Sequence, residues 1–303
     1  MKAYKTPLRY PGGKSRACTK MDQYFPDLRE YDEYREPFLG GGSVAIHVTK
    51  KYPTVKVWVN DLYEPLVNFW KVLQSDGQRM RDELIQLKYR HSDPVSAKQL
   101  FLESKEYLNY GEKRTEPFHR ACSFWIINKC SFSGLTESSS FSSQASNSNF
   151  SVRGIDKLPG YSEIIKNWEI TNLSYDKLLD EGSETNAFVY LDPPYDIKDN
   201  LYGKKGSMHK RFDHDLFATD CDACSLNCLI SYNADQLVKD RFKKWNAGEF
   251  DLTYTMRSVG EYMRDQKGRK ELLLFNYNLG PKIKLNFDGC YNYNRLKEEG
   301  LTD

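Results

Sequence analysis

Three consecutive glycines, Gly40-Gly41-Gly42, sit between a strand-like stretch and a helix start, and no other feature limits the fold as much. Residues 32–38 carry a short strand, and residues 43–48 open a helix. Val55-Lys56-Val57-Trp58-Val59 alternates branched and other side chains, as a strand does, and Asn60-Asp61 ends it. Strand, glycine turn, helix, strand and terminal acid is the order of a cofactor-binding βαβ unit in a doubly wound sheet. Glycine lets the turn be tight and lets a ligand approach the backbone closely. The run lacks the G-x-G-x-x-G spacing of a dinucleotide site, which argues against NAD or FAD. Lys14 behind Gly12-Gly13 lacks both the Walker spacing and a preceding strand, so a phosphate loop is set aside as well.

Strand-like runs return at residues 168–173, 187–191, 228–232, 250–256 and 272–277. Between them and the first unit, residues 65–129 are helical: Leu66, Phe69, Trp70 and Leu73 recur at helical spacing, as do Phe124 and Ile127. Residues 131–154 are rich in Ser and Asn and read as loop. The chain is thus expected to hold one α/β catalytic domain, residues 1–64 and 161–303, interrupted by a mostly helical insertion, residues 65–160. A length of 303 residues suits that division.

Composition excludes several classes. Aromatics at 14% are too many for a disordered chain. No apolar run approaches the roughly 20 residues of a membrane helix, and no signal peptide is visible, so a cytoplasmic protein with no membrane partner is expected. Seven cysteines are then expected to be reduced thiols. Cys221, Cys224 and Cys228 could suggest zinc, with Cys290, His209 or His214 as a fourth ligand. The same spacing is one face of a helix over residues 215–227, which is the preferred reading, and no metal is expected. A net charge of +2 neither marks nor excludes a nucleic-acid partner.

The chemistry points to residues 188–195. Phe188-Val189-Tyr190-Leu191 reads as a buried strand running into Asp192-Pro193-Pro194-Tyr195. Two prolines cannot continue central pairing, so they stiffen a turn at the carboxyl end of the strand, where open α/β sheets bind ligands. A carboxylate, a free carbonyl and an aromatic ring together suit the exocyclic amine of a flat base. Asp192 and the Pro193 carbonyl accept from the NH2 group, and Tyr195 stacks on the base for about 1–3 kcal/mol. The amine is a weak nucleophile, and acceptors aimed at its developing positive charge favour the transition state. An ordinary strand-end turn with a buried tyrosine is the plain alternative.

In their order along the chain these motifs resemble the Dam-like, D12 class (alpha group) N6-adenine-specific DNA methyltransferases. Arg9-Tyr10-Pro11-Gly12-Gly13-Lys14, Glu36-Pro37-Phe38-Leu39-Gly40-Gly41-Gly42-Ser43, Asn60-Asp61 and Ser174-Tyr175-Asp176 resemble the cofactor motifs, and Asp192 to Tyr195 the catalytic one. The resemblance implies a Rossmann-like seven-stranded methyltransferase fold with a β-hairpin arm. It implies S-adenosyl-L-methionine as cofactor, held by Tyr10, Lys14, Glu36, Phe38, Gly40, Gly42, Ser43, Asp61, Asp176 and Asp192. It implies catalysis by Asp192, Pro193, Pro194 and Tyr195 on an adenine flipped from double-stranded DNA, with GATC as the inherited target. Asn128-Lys129 to Leu135 resembles the target-recognition segment, with Lys129 and Ser133 departing from its usual form. Arg114, Arg120, Asn128, Lys129, Ser133, Leu135 and Arg153 are candidate DNA contacts in the insertion. Arg257, Arg264, Lys267 and Arg269 are candidates in the arm, where a basic connection between two strands suits phosphates. No obligate protein partner is expected; the chain is expected to be a monomer, with a dimer on DNA left open. Amino methylation of cytosine N4, RNA or a protein glutamine amide would use the same turn, and a non-catalytic DNA-binding protein would keep the same fold.

Overall fold

Eight strands form one sheet in the order β3-β2-β1-β4-β5-β7-β6-β8. They are β1 (Glu33–Glu36), β2 (Lys56–Asn60), β3 (Trp168–Thr171), β4 (Ala187–Leu191), β5 (Asn227–Asn233), β6 (Asn246–Asp251), β7 (Lys270–Phe275) and β8 (Cys290–Asn292). The computed structural model describes residues 5–10, 12–109, 116–132, 139–180, 184–195, 212–251, 270–279 and 290–292. Neighbours from β3 to β5 are parallel, β7 runs antiparallel to both β5 and β6, and β8 adds an eighth, edge strand parallel to β6. Every residue of β4 is buried, as expected where helices cover both faces of a parallel sheet. Its side chains alternate between two cores: Phe188 and Tyr190 join Tyr34 and Leu229, whereas Val189 and Leu191 join Ile230 and Phe217.

The order reverses beside β1, which feeds β2 on one side and pairs with β4 on the other. That switch point is where such sheets leave a crevice at the carboxyl ends of their strands. The parallel ends at Glu36, Asn60, Leu191 and Asn233 all reach this edge. Because β7 is antiparallel, its beginning reaches it too: Glu271 is in register with Asn233.

The segment between β2 and β3 is helical, as its periodicity predicts. The helix Glu64–Arg90 starts with Pro65 in its first turn, where the missing N–H costs nothing. Its first half buries Leu66, Phe69, Trp70 and Leu73 in the same core as Tyr34 and Phe188. Beyond a non-helical Asp76, Gly77 lets Ser162 of the helix Leu158–Ile165 approach; a Cβ there would lie 2.5 Å from the serine Cβ. The helices Pro94–Asn109 and Pro117–Cys130 follow.

Three expectations need correction. Residues 131–154 are not all loop: they contain the helices Ser143–Asn149 and Val152–Ile155. The serines that suggested loop are N-caps, with Ser142 Oγ accepting from Ala145 N at 3.1 Å and Ser151 Oγ from Gly154 N at 3.2 Å. The helix expected over residues 215–227 spans only His214–Ala223, so Cys228 lies in β5 and the three thiols do not share a helix face. Burial pushes the Cys221 thiol well above its usual range; the Cys228 thiol is pushed up first by its hydrogen bond with Cys224, Sγ to Sγ 3.9 Å, and then by burial. The strand expected at 250–256 begins earlier, at Asn246, and residues 252–256 lie outside the described residues. Among the described residues no helix is long and apolar enough to cross a membrane.

Candidate active site

The switch-point edge gathers four parallel strand ends, the start of β7 and one N-terminal turn. Asp192 follows β4 directly, and its carboxylate is held from two sides. Lys14 Nζ donates to Oδ1 at 2.8 Å and to Oδ2 at 2.9 Å, and Ser231 Oγ, on β5, donates to Oδ1 at 2.8 Å. Ser231 is in turn hydrogen-bonded to Tyr190 Oη at 2.8 Å. Lys14 is 2% exposed, and its ammonium also reaches Tyr195 Oη at 2.7 Å and Glu271 Oε1 at 3.2 Å. One buried cation therefore lies among two carboxylates and a phenol, drawn from the N-terminus, the turn after β4, and β7. The turn that delivers Lys14 has Gly12 at φ 72°, in the left-handed region, and Gly13 N donating to Tyr10 O at 3.2 Å.

Tyr195 is partly buried, with its ring stacked on Tyr232 at 5.6 Å between centroids and 23° between planes. Tyr232 Oη is hydrogen-bonded to His214 Nδ1, which brings the start of the helix His214–Ala223 beside the catalytic turn. Pro193 is buried and Pro194 half-buried.

The glycine loop lies beside this cluster. Gly40 (φ 48°) and Gly42 (φ 65°) are both left-handed. A Cβ on Gly42 would lie 2.7 Å from the Trp70 ring, and one on Gly40 or Gly41 would lie 2.9 Å from Tyr10. Trp70 Nε1 donates to Gly40 O at 3.2 Å, so the helix Glu64–Arg90 supports the loop. Asp61, at the end of β2, accepts from Gly40 N through Oδ2 and from Tyr63 N through Oδ1, each at 2.9 Å. Burial pushes its pKa up to about 6, with the backbone donors opposing. Glu36 is fully enclosed, with Tyr34 Oη donating to it at 2.6 Å. Burial, with the nearby Asp192 charge adding to it, holds Glu36 well above the usual carboxylate range. Ser43 Oγ accepts from Lys14 N at 3.1 Å, tying the glycine-loop helix to the N-terminal turn. Phe38 stacks on Tyr175 (5.5 Å, 26°), and Asp176 beside it is partly exposed, 3.7 Å from Lys177 Nζ. Tyr10, Lys14, Glu36, Phe38, Gly40, Gly42, Ser43, Asp61 and Asp192 thus line one continuous edge, with Asp176 at its rim.

The sequence pattern of the D12 class N6 adenine-specific DNA methyltransferases matches residues 10–256. The chain belongs to this family. The enzyme is similar to the type II methyltransferase M.MjaIII of Methanocaldococcus jannaschii, at 27% identity over 89% of this chain and 98% of the relative. It is also similar to the type II methyltransferase M.CviBI of Paramecium bursaria Chlorella virus NC1A, at 20% identity over the same shares. A DNA adenine methylase of Vibrio cholerae is 22% identical over 64% of this chain and 66% of its own. The enzyme is accordingly a transferase that places a methyl group on DNA adenine, with DNA as substrate and a methyl donor as co-substrate.

The structure separates the candidate DNA contacts of this methyltransferase. Arg120 is 2% exposed and forms a two-point ion pair with Glu64, its Nη1 2.8 Å from Oε1, so it ties two helices together rather than facing solvent. Asn128 is fully buried and clamps the N-terminal motif: Arg9 N donates to its Oδ1 at 2.9 Å, and its Nδ2 donates to Arg9 O at 2.7 Å. Both side chains are spent on structure, which their residue types did not reveal. Lys129 is half-buried with its ammonium 5.2 Å from the Trp125 ring centroid; burial, then the Arg9 charge, push its pKa down to about 7. Arg153 is exposed on its short helix. Arg114, Ser133, Leu135, Arg257, Arg264, Lys267 and Arg269 lie outside the described residues, as does Pro11. Sequence reasoning missed Ser231, Glu271 and the bond from Lys14 to Asp192. An acid set between the basic pair Arg269-Lys270 and the apolar run Leu272–Phe275 was the available signal for Glu271.

Proposed function

We propose that the enzyme transfers the methyl group of S-adenosyl-L-methionine to N6 of an adenine flipped out of double-stranded DNA, within a short sequence for which GATC is the leading candidate. The observation that carries this reading is the carboxylate of Asp192, fixed at the switch point by Lys14 and Ser231 beside the Pro193–Pro194 turn and Tyr195. Asp192 and the Pro193 carbonyl hold the two amine protons, and the Tyr195 ring meets the base face. The Asp192 charge then opposes the cation that grows on N6.

The cofactor fits the residues present. Left-handed glycines without Cβ leave the loop backbone open to close approach, and Asp61 can accept ribose hydroxyls through its remaining lone pairs. Glu36 suits the cofactor's amino group, and the Phe38–Tyr175 pair supplies an aromatic wall. When bound, the cofactor supplies an electrophilic methyl on a sulfonium, so no protein nucleophile or metal is needed. In-line placement of N6 against it supplies much of the rate.

Residues 1–64 and 161–303 serve as the catalytic unit and residues 65–160 as the target-recognition unit, with base contacts sought in residues 113–160 and phosphate contacts in the 257–269 arm. The enzyme acts as a monomer on DNA in the cytoplasm of a prokaryotic or infected cell, methylating one strand and rebinding for the other. The test is methylation of long unmethylated DNA, followed by single-molecule mapping of N6-methyladenine and weighing of the digested nucleosides. N6-methyladenine confined to GATC is expected. Another short motif discards the inherited target, scattered adenines discard sequence choice, and N4-methylcytosine or no product discards the reading.

A further inference from the structure

We propose that Glu271 is a positioning residue of the active site, holding the Tyr195 ring and sharing Lys14 with Asp192. The proposal rests on the methyl-transfer reading of the Asp192 turn. Glu271 is 1% exposed and is the second residue of β7, whose next residues, Leu272 to Phe275, are all buried and apolar. A carboxylate enclosed this way is costly unless paired, and nothing in the packing of the strand calls for it. Two of its partners belong to the catalytic turn and its support: Tyr195 Oη donates to Glu271 Oε1 at 2.5 Å, and Lys14 Nζ lies 3.2 Å away.

Two consequences follow for chemistry. The Tyr195 hydroxyl is fixed twice, accepting from Lys14 and donating to Glu271, while one ring face rests on Tyr232. The ring is held before a base arrives, so stacking orders nothing new. The Lys14 charge is also divided. Without the Glu271 charge, more of the Lys14 charge would fall on Asp192, and Asp192 would become a weaker acceptor for the amine. The groups facing Asp192 are Lys14 from the N-terminal turn, Ser231 from β5, Glu36 from β1 and Tyr190 from β4, with Glu271 acting from β7 through Lys14.

The test uses the full chain. Single-turnover methyl transfer to unmethylated DNA is measured across pH for wild type, Glu271→Gln and Glu271→Asp, with S-adenosylmethionine affinity by calorimetry and melting temperature alongside. Wild-type activity establishes the underlying reading separately. Glu271→Gln should lose at least tenfold in rate with cofactor affinity unchanged. Glu271→Asp should recover part of the rate. A merely structural role would lower melting temperature and cofactor affinity together with the rate and gain nothing from Glu271→Asp, and that result, or a wild-type rate in Glu271→Gln, overturns the proposal. If Glu271→Gln does not fold, Tyr195→Phe carries the test, since it removes the hydroxyl Glu271 grips; an undiminished rate there overturns the proposal, and a tenfold loss with cofactor affinity intact supports it.

Discussion

Replacing Asp192 by asparagine keeps the size of the side chain and changes two things at once. Both carboxylate oxygens accept from Lys14 Nζ, at 2.8 and 2.9 Å, and Oδ1 also accepts from Ser231. An amide has one acceptor oxygen, so in either orientation its NH2 group faces the Lys14 ammonium. One charge-assisted bond is lost, worth about 1.5–3 kcal/mol in a buried setting. Asp192 is 22% exposed on its side chain, so solvent screening reduces the cost to the fold to about 1 kcal/mol. The cost to chemistry is larger. Removing one preorganised group aimed at transition-state charge typically costs about 2.7–4 kcal/mol, or roughly 100- to 1000-fold in rate. Asp192→Asn should therefore melt close to wild type and bind S-adenosylmethionine nearly as well, while single-turnover transfer of labelled methyl to DNA falls by that factor. A folded Asp192→Asn enzyme retaining more than a tenth of the wild-type rate would refute the assignment of the charge.

Three further outcomes are expected. Asp61 accepts ribose hydroxyls more strongly when ionised, so cofactor affinity should rise with pH through about 6 and level off above it; calorimetry on Asp61→Asn should find weaker binding without that rise. Gly42→Ala must adopt φ 65° and push against Trp70, which adds about 1–2 kcal/mol of backbone strain to about 1–3 kcal/mol of overpacking, so urea unfolding should find it about 2–5 kcal/mol less stable. Arg120→Met breaks a buried pair and should cost about 3 kcal/mol, because Glu64 stays partly exposed, yet the map of methylated sites should not change; an altered map would return Arg120 to the DNA interface.

The strands around the glycine loop and the Asp192 turn were legible because their signals are local. Period-two burial, left-handed turns and a double proline are written in adjacent residues. The Ser-rich stretch misled because serine serves loops and N-caps alike, and only its neighbours decide which. Arg120 and Asn128 misled because residue type says what a side chain can bond, whereas the fold says what lies within reach.

By itself the sequence determined the βαβ start, the strand that ends in Asp192, and the placement of glycines where a Cβ cannot stand. The tertiary structure alone decided which charges meet. Lys14, Asp192, Ser231 and Glu271 are spread over more than 250 positions of a 303-residue chain. They converge because parallel β4 and β5 end, and antiparallel β7 begins, at the same edge of the sheet, where the N-terminal turn folds over it. Strand direction and order are set by long-range pairing and by burial on both faces, and no local pattern of residues encodes them.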